Sequence, residues 1–169
     1  MANECPFCKI AAGELPAKKI YENETVVAFL DINPRSPGHT LVIPKEHYET
    51  LFDVPADEAA EIFHAVKIIA DAVKEGSGAD GLSLSQSNYR AAGQIVPHLH
   101  FHLIPRFNSE GPAGLEAFMP AKKIDEESME KIAGGIKEHI TEKPAPSKPA
   151  KKPAKKEEQE EDEDIDFDF

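Results

Sequence analysis

The chain has 169 residues, a length that suits one domain, and its 40% apolar content is enough for a modest core. A formal net charge of −12 argues against general affinity for nucleic acid or anionic membranes, though not against a locally cationic pocket for one small anion. No apolar run approaches the roughly 18 residues of a membrane span, and MANECPFCKI lacks the basic and hydrophobic stretches of a secretory leader, so a soluble cytoplasmic protein is expected.

In chain order, TVVAFL (25–30) and TLVI (40–43) are β-branched and apolar and are separated by the turn-forming DINPRSPGH, which predicts two strands. Residues 57–75 carry Ala59, Ile62, Phe63, Val66, Ile69, Ala70 and Val73 at helical spacing, and the pattern stops at Gly76 and Gly78. Leu82 to Ser87 alternates Leu with Ser, and His98 to Ile104 alternates His with apolar residues, as half-buried strands do. A last helix is expected over 125–140, with Met129, Ile132, Ile136 and Ile140 on one side. Strands before and after a single long helix predict an α+β fold: an antiparallel sheet with one long helix and a C-terminal helix.

Composition breaks near Glu142, so residues 1–142 are expected to fold and 143–169 to form a disordered tail. The Pro/Ala/Lys-rich part gives way to the acidic EEQEEDEDIDFDF. That acidic run either keeps the chain soluble or docks its aromatic tip into a basic, apolar groove of a protein partner.

The chemistry concentrates at His98, His100 and His102. In a strand, residues i, i+2 and i+4 share one face, so these imidazoles point together while Leu99, Phe101 and Leu103 point into the core. Such a row can bind a metal through neutral nitrogens. It can instead attack phosphorus with one imidazole while its neighbours stabilise phosphate oxygens. Spacing does not decide between them. The preceding Ala91-Ala92-Gly93-Gln94 is a small-residue turn that lets backbone approach a ligand, which favours phosphate.

Cys5-Pro-Phe-Cys8 offers two thiols to one metal, and with no further cysteine the remaining ligands would have to be histidines. The alternatives are a redox pair, which lacks a surrounding βαβ pattern, and unmetallated thiols.

GQIVPHLHFHLIPRF resembles the signature of the histidine triad (HIT) nucleotide hydrolases and transferases, His-φ-His-φ-His-φ-φ with φ apolar. Here Leu99, Phe101, Leu103 and Ile104 fill the apolar positions. Ala28 to His47 is similar to the family's second hallmark segment, and CPFCKIAAGELPAKKIYE to its bacterial zinc-binding branch. The resemblance spans roughly residues 4 to 140.

That resemblance implies that His100 attacks the α-phosphorus of a purine nucleotide, forming a nucleotidyl-histidine that water cleaves to release a nucleoside monophosphate. The substrate would be a phosphoramidate or a dinucleoside polyphosphate. His102 would assist at the leaving group and His39 would support the site. Asp31 would accept from the ribose hydroxyls, whose vicinal diol suits two acceptor oxygens, and Ile32 would flank the base. Gly93 and Gln94 would face phosphate. A carbonyl or imidazole on the other nitrogen of His100 would fix its tautomer. The resemblance also implies a structural zinc on Cys5, Cys8, His47 and His98, and a homodimer.

Three positions depart from the family pattern. Ser87, with Asn88 beside it, stands where an Asn or Gln is usual, so its reach toward substrate is shorter. Ile95 replaces a hydroxyl residue, and Pro97 removes a strand donor just before the triad. Two rival readings remain: a non-catalytic nucleotide-binding adaptor acting through its acidic tail, and a metal enzyme using all three triad histidines.

Overall fold

The computed structural model describes residues 4–111 and 123–139, which fall into two units, one within residues 1–119 and one within 120–169. The expected boundary near Glu142, the tail beyond it and Ile140 lie outside the described residues.

The first unit is a five-stranded antiparallel sheet with helices on its two faces. Its elements are α1 (Pro6–Ala11), β1 (Lys19–Glu22), β2 (Val26–Leu30), β3 (Thr40–Pro44), α2 (Ala56–Ser77), β4 (Gly81–Ser85) and β5 (Phe101–Arg106). The strand order is β1-β2-β3-β5-β4, every neighbouring pair antiparallel. The α+β expectation holds. No helix among the described residues is long and apolar enough to cross a membrane.

The two sheet faces bury different residues. Val26, Ala28, Val42, Phe101 and Leu103 pack with Ile62, Val66 and Ile69 of α2. Val27, Phe29, Leu41 and Ile43 pack with Ile10 of α1 on the other face. With both faces covered, β2 and β3 read as continuous apolar runs. Each fully buried Ile or Val contributes about 1.5–3 kcal/mol. The helix α2 runs through Gly76 and ends at Gly78. Its buried stripe is Ile62, Ala65, Val66, Ile69 and Val73. Phe63, expected in that stripe, is 45% exposed, although its ring edge meets Phe101 at a centroid distance of 5.1 Å.

Two elements were not expected. The strand β1 is short and mostly exposed, and α1 is a six-residue helix opened by Pro6. The triad strand also differs in extent: its ladder begins at Phe101, and His98 to His100 precede it. Pro97 lacks a donor, as does Pro44 at the end of β3, and His98 N–H turns locally onto Val96 O at 2.8 Å. The alternation survives because Leu99 N–H is held by Tyr48 O at 2.6 Å and Leu99 is fully buried. The strand expected over 82–87 stops at Ser85.

In the second unit, α3 (Glu126–Glu138) is capped by Asp125, whose carboxylate accepts from Ser128 N–H at 2.9 Å. Met129, Ile132 and Ile136 are each more than half exposed.

Candidate active site

The register decides what the α1 face of the sheet offers. Phe29 lies opposite Leu41, Leu41 opposite His102, and His102 opposite Ser85. That row floors a cavity of about 840 Å³. Phe7, Ile10 and Leu15 form one wall, the Asp31–Arg35 loop a second, and Gly93, Ile95 and Val96 the rim. His100 and His102 both open into it. A largely apolar hollow with a few convergent polar groups is the usual form of a small-molecule site.

The three triad histidines divide. His98 is fully buried and directs Nδ1 away from the cavity, to 3.4 Å from Cys5 Sγ, 3.5 Å from Cys8 Sγ and 3.3 Å from His47 Nδ1. His47 Nδ1 lies 3.2 Å from Cys8 Sγ. The cysteines come from α1 and its cap, His47 from the segment after β3, and His98 from the approach to β5. Zinc bonds of about 2.3 Å to sulfur and about 2.0 Å to nitrogen, at tetrahedral angles, separate two nitrogens by about 3.3 Å and nitrogen from sulfur by about 3.5 Å. The four donors have that spacing. His98 Nε2–H donates to Pro44 O at 3.0 Å, which leaves Nδ1 with its lone pair, and burial holds this imidazole down at about 4. Burial, then Cys5 and Glu46, push the Cys8 thiol up to about 11, so a thiolate there calls for a cation.

His100 is bound differently. Its Nδ1–H donates to His98 O at 2.6 Å. A carbonyl can only accept, so the proton sits on Nδ1 and the Nε2 lone pair is free. Phe7 packs edge-on against both His98 and His100, at centroid distances of 5.8 and 5.3 Å.

His102 has the opposite tautomer. Arg35 N–H donates to His39 Nδ1 at 3.1 Å, so neutral His39 carries its proton on Nε2 and donates it to His102 Nδ1 at 3.0 Å. His102 is left with Nε2–H. Burial, followed by the charges of His100 and His39, holds His102 at about 4. Burial also lowers His39, and outweighs the upward pull of Asp31, whose carboxylate lies 3.4 Å from Nδ1. Gly38 introduces His39 at φ +85 and sits so close to Ser77 and Pro105 that a Cβ would meet them at 3.2 and 3.3 Å.

Of the other residues singled out from sequence, Asp31, Ile32 and Gly93 line the cavity, and Ile32 is 88% exposed. Asn88 spends its amide on Leu51 N–H and on Gln86, and neither it nor Ser87 lines the cavity. Gln94 ties its loop to the segment after β3, accepting from Tyr89 N–H at 2.7 Å and donating to Glu49 O at 2.6 Å. Phe7, Arg35 and Ser85 line the cavity without having been singled out. Only Ser85 carried a signal, its place in the Leu/Ser alternation one strand over from His102. His100 belongs to neither close group of potential metal ligands among the described residues, so the three triad histidines do not converge on one ion.

Known proteins resemble this chain in sequence and fold. The HIT domain family matches residues 12–109. An adenosine 5′-monophosphoramidase of Schizosaccharomyces pombe is 38% identical over 136 residues, covering 80% of this chain and 98% of the relative. An adenylylsulfatase of Arabidopsis thaliana is 36% identical over 145 residues, covering 85% of this chain and 73% of the relative. Among solved structures, a Streptococcus mutans protein superposes with a TM-score of 0.75 at 40% identity over 82% of this chain and 86% of its own. A Zn-bound histidine triad family protein of Mycobacterium smegmatis does so with a TM-score of 0.62 at 36% identity over 78% and 91%. The chain belongs to the HIT domain family.

Proposed function

We propose that this protein is a nucleotidyl hydrolase that passes a nucleoside 5′-monophosphoryl group from its substrate to His100 and then to water. The opposed tautomers of His100 and His102 carry this reading: one offers a lone pair to the cavity and the other an N–H. His100 Nε2 forms the bond to the α-phosphorus, the bond to the leaving group breaks, and that group departs with the electron pair, an oxyanion as it stands and an amidate nitrogen with a proton taken from solvent. The imidazole keeps its Nδ1 proton on the His98 carbonyl, which stabilises the positive charge it gains. Water then attacks phosphorus, the P–N electrons return to Nε2, and the water's proton passes to solvent. His102, neutral above about pH 4, acts as a hydrogen-bond donor to phosphate and leaving-group oxygens and retains its proton.

Asp31 takes the ribose hydroxyls of a purine nucleotide, Ile32 flanks the base, and backbone at Gly93 approaches phosphate. Cys5, Cys8, His47 and His98 hold a structural zinc, which ties the N-terminal segment to the triad. The protein acts in the cytoplasm as a homodimer. Its exposed β4 edge, with Leu84 50% exposed, supports pairing with a second copy. The folded domain spans 1–142, and the tail 143–169 serves solubility or a protein partner.

The test is AMP release from adenosine 5′-phosphoramidate by the parent and by His100→Ala. Loss of several orders of magnitude is expected. Radiolabelled nucleotide should stay on the alkali-quenched parent chain and be missing from the variant. Undiminished turnover by His100→Ala would defeat His100 as the nucleophile, and a parent that binds AMP but releases none from the amidate would leave a nucleotide-binding adaptor.

A further inference from the structure

Among the described residues, Arg35 is the only one lining the cavity that carries a fixed positive charge. Its backbone N–H is committed to His39 Nδ1, but its side chain is exposed and makes no ion pair among the described residues. Asp31, the one acidic residue lining the same hollow among the described residues, is not its partner. Its charge reaches the catalytic floor, where it helps lower both His39 and His102. An unpaired guanidinium presents a planar fork of donors that matches tetrahedral oxyanions. Transfer of the nucleotidyl group to His100 makes no use of it. In a chain of net charge −12, a lone cation facing a small cavity marks where an anion goes.

We propose that Arg35 is a specificity-determining residue that receives the leaving group, so that the site prefers nucleotidyl donors whose α-phosphorus is joined to a second oxyanion, sulfate or phosphate, over neutral amidates. The inference rests on nucleotidyl transfer to His100. As the P–N bond to His100 forms, the P–O bond to the oxyanion breaks and both electrons remain on the departing oxygen. Sulfate or phosphate leaves as a free anion and needs no proton. Arg35 donates hydrogen bonds to oxygens whose negative charge is growing, an interaction that strengthens toward the transition state. An amidate nitrogen, by contrast, must gain a proton and departs neutral. A nearby cation gives it nothing, and the proton it needs comes from solvent.

The experiment measures kcat/KM for adenylyl sulfate and for adenosine 5′-phosphoramidate with the parent, Arg35→Gln and Arg35→Lys. The sulfate-to-amidate ratio should fall about tenfold or more in Arg35→Gln, with part of it restored by Lys. Competitive inhibition by inorganic sulfate should weaken in the same order. Equal losses on both donors, or an unmoved ratio, overturn the role of Arg35 alone. A parent that cleaves neither donor overturns nucleotidyl transfer itself, and this inference with it.

Discussion

The carbonyl of His98 accepts the Nδ1 proton of His100 at 2.6 Å, so one residue serves both the cysteine cluster and the histidine that faces the cavity. His98 is held at three points: Nε2–H on Pro44, Nδ1 against the thiols and His47, and its carbonyl on His100. Disturbing the cluster therefore changes the pose of His100. The same disturbance frees Phe7, which packs on both imidazoles.

Zinc removal follows from this. The purified parent should contain one zinc per chain, and Cys8→Ser should lose it. Chelation or Cys8→Ser should lower the melting temperature by on the order of 10 °C. It should also raise KM, because Phe7 and Ile10 wall the cavity. Metal analysis with thermal unfolding checks the first effect and steady-state kinetics the second. Full metal content in Cys8→Ser would break the assignment.

His39 lines the cavity beside His102 and acts as a positioning residue, because its Nε2–H is spent on His102 Nδ1. In His39→Ala the Nδ1 of His102 loses its donor, both tautomers become available, and kcat should fall about tenfold to a hundredfold with little change in KM. His39→Gln, whose amide N–H can reach the same nitrogen, should recover part of the loss. A structural role alone would give Ala and Gln equal defects in stability without that split.

The parts of the site that follow from period and sign were legible in the sequence. Alternation over 98–104 put three imidazoles opposite three core residues, and Leu99, Phe101 and Leu103 are buried as that pattern requires. It could not show that His98 turns its Nδ1 toward cysteines some ninety positions away, because that depends on where α1 docks. The family resemblance supplied that partner set. Arg35 was illegible for a related reason: a lone Arg in a turn carries no periodicity, and its value comes from the cavity that β2, β3 and α1 close around it. Gln94 and Asn88 show the converse. Their amides are suited to phosphate, but nearby backbone and Gln86 have claimed them.

The pKa of His102 sets a pH dependence of stability. Burial holds it at about 4 in the folded protein, against the ordinary 6.5 of the unfolded chain. Below about pH 6.5 the unfolded state takes up a proton that the folded state refuses, so stability falls with pH until the folded imidazole also titrates near 4. Between roughly pH 7 and pH 5 the melting temperature should drop further in the parent than in His102→Asn, which has no imidazole there to titrate. Parallel melting curves for the two proteins would rule out this linkage.

Two glycines separate backbone strain from crowding. Gly93 adopts φ +91 beside the cavity, and a Cβ there would meet nothing within 4 Å. Gly93→Ala should therefore cost only the left-handed backbone, about 1–2 kcal/mol. Gly38 combines φ +85 with contacts of 3.2 Å to Ser77 Cβ and 3.3 Å to Pro105 Cγ. Those neighbours sit on α2 and β5, whose positions the core fixes, so Gly38→Ala must displace the turn that delivers His39. It should lose more stability than Gly93→Ala, and lose kcat as His39→Ala does, because the same His39–His102 bond is broken. Urea unfolding ranks the two costs. Equal destabilisation with normal kcat in Gly38→Ala would show that the turn yields without moving His39.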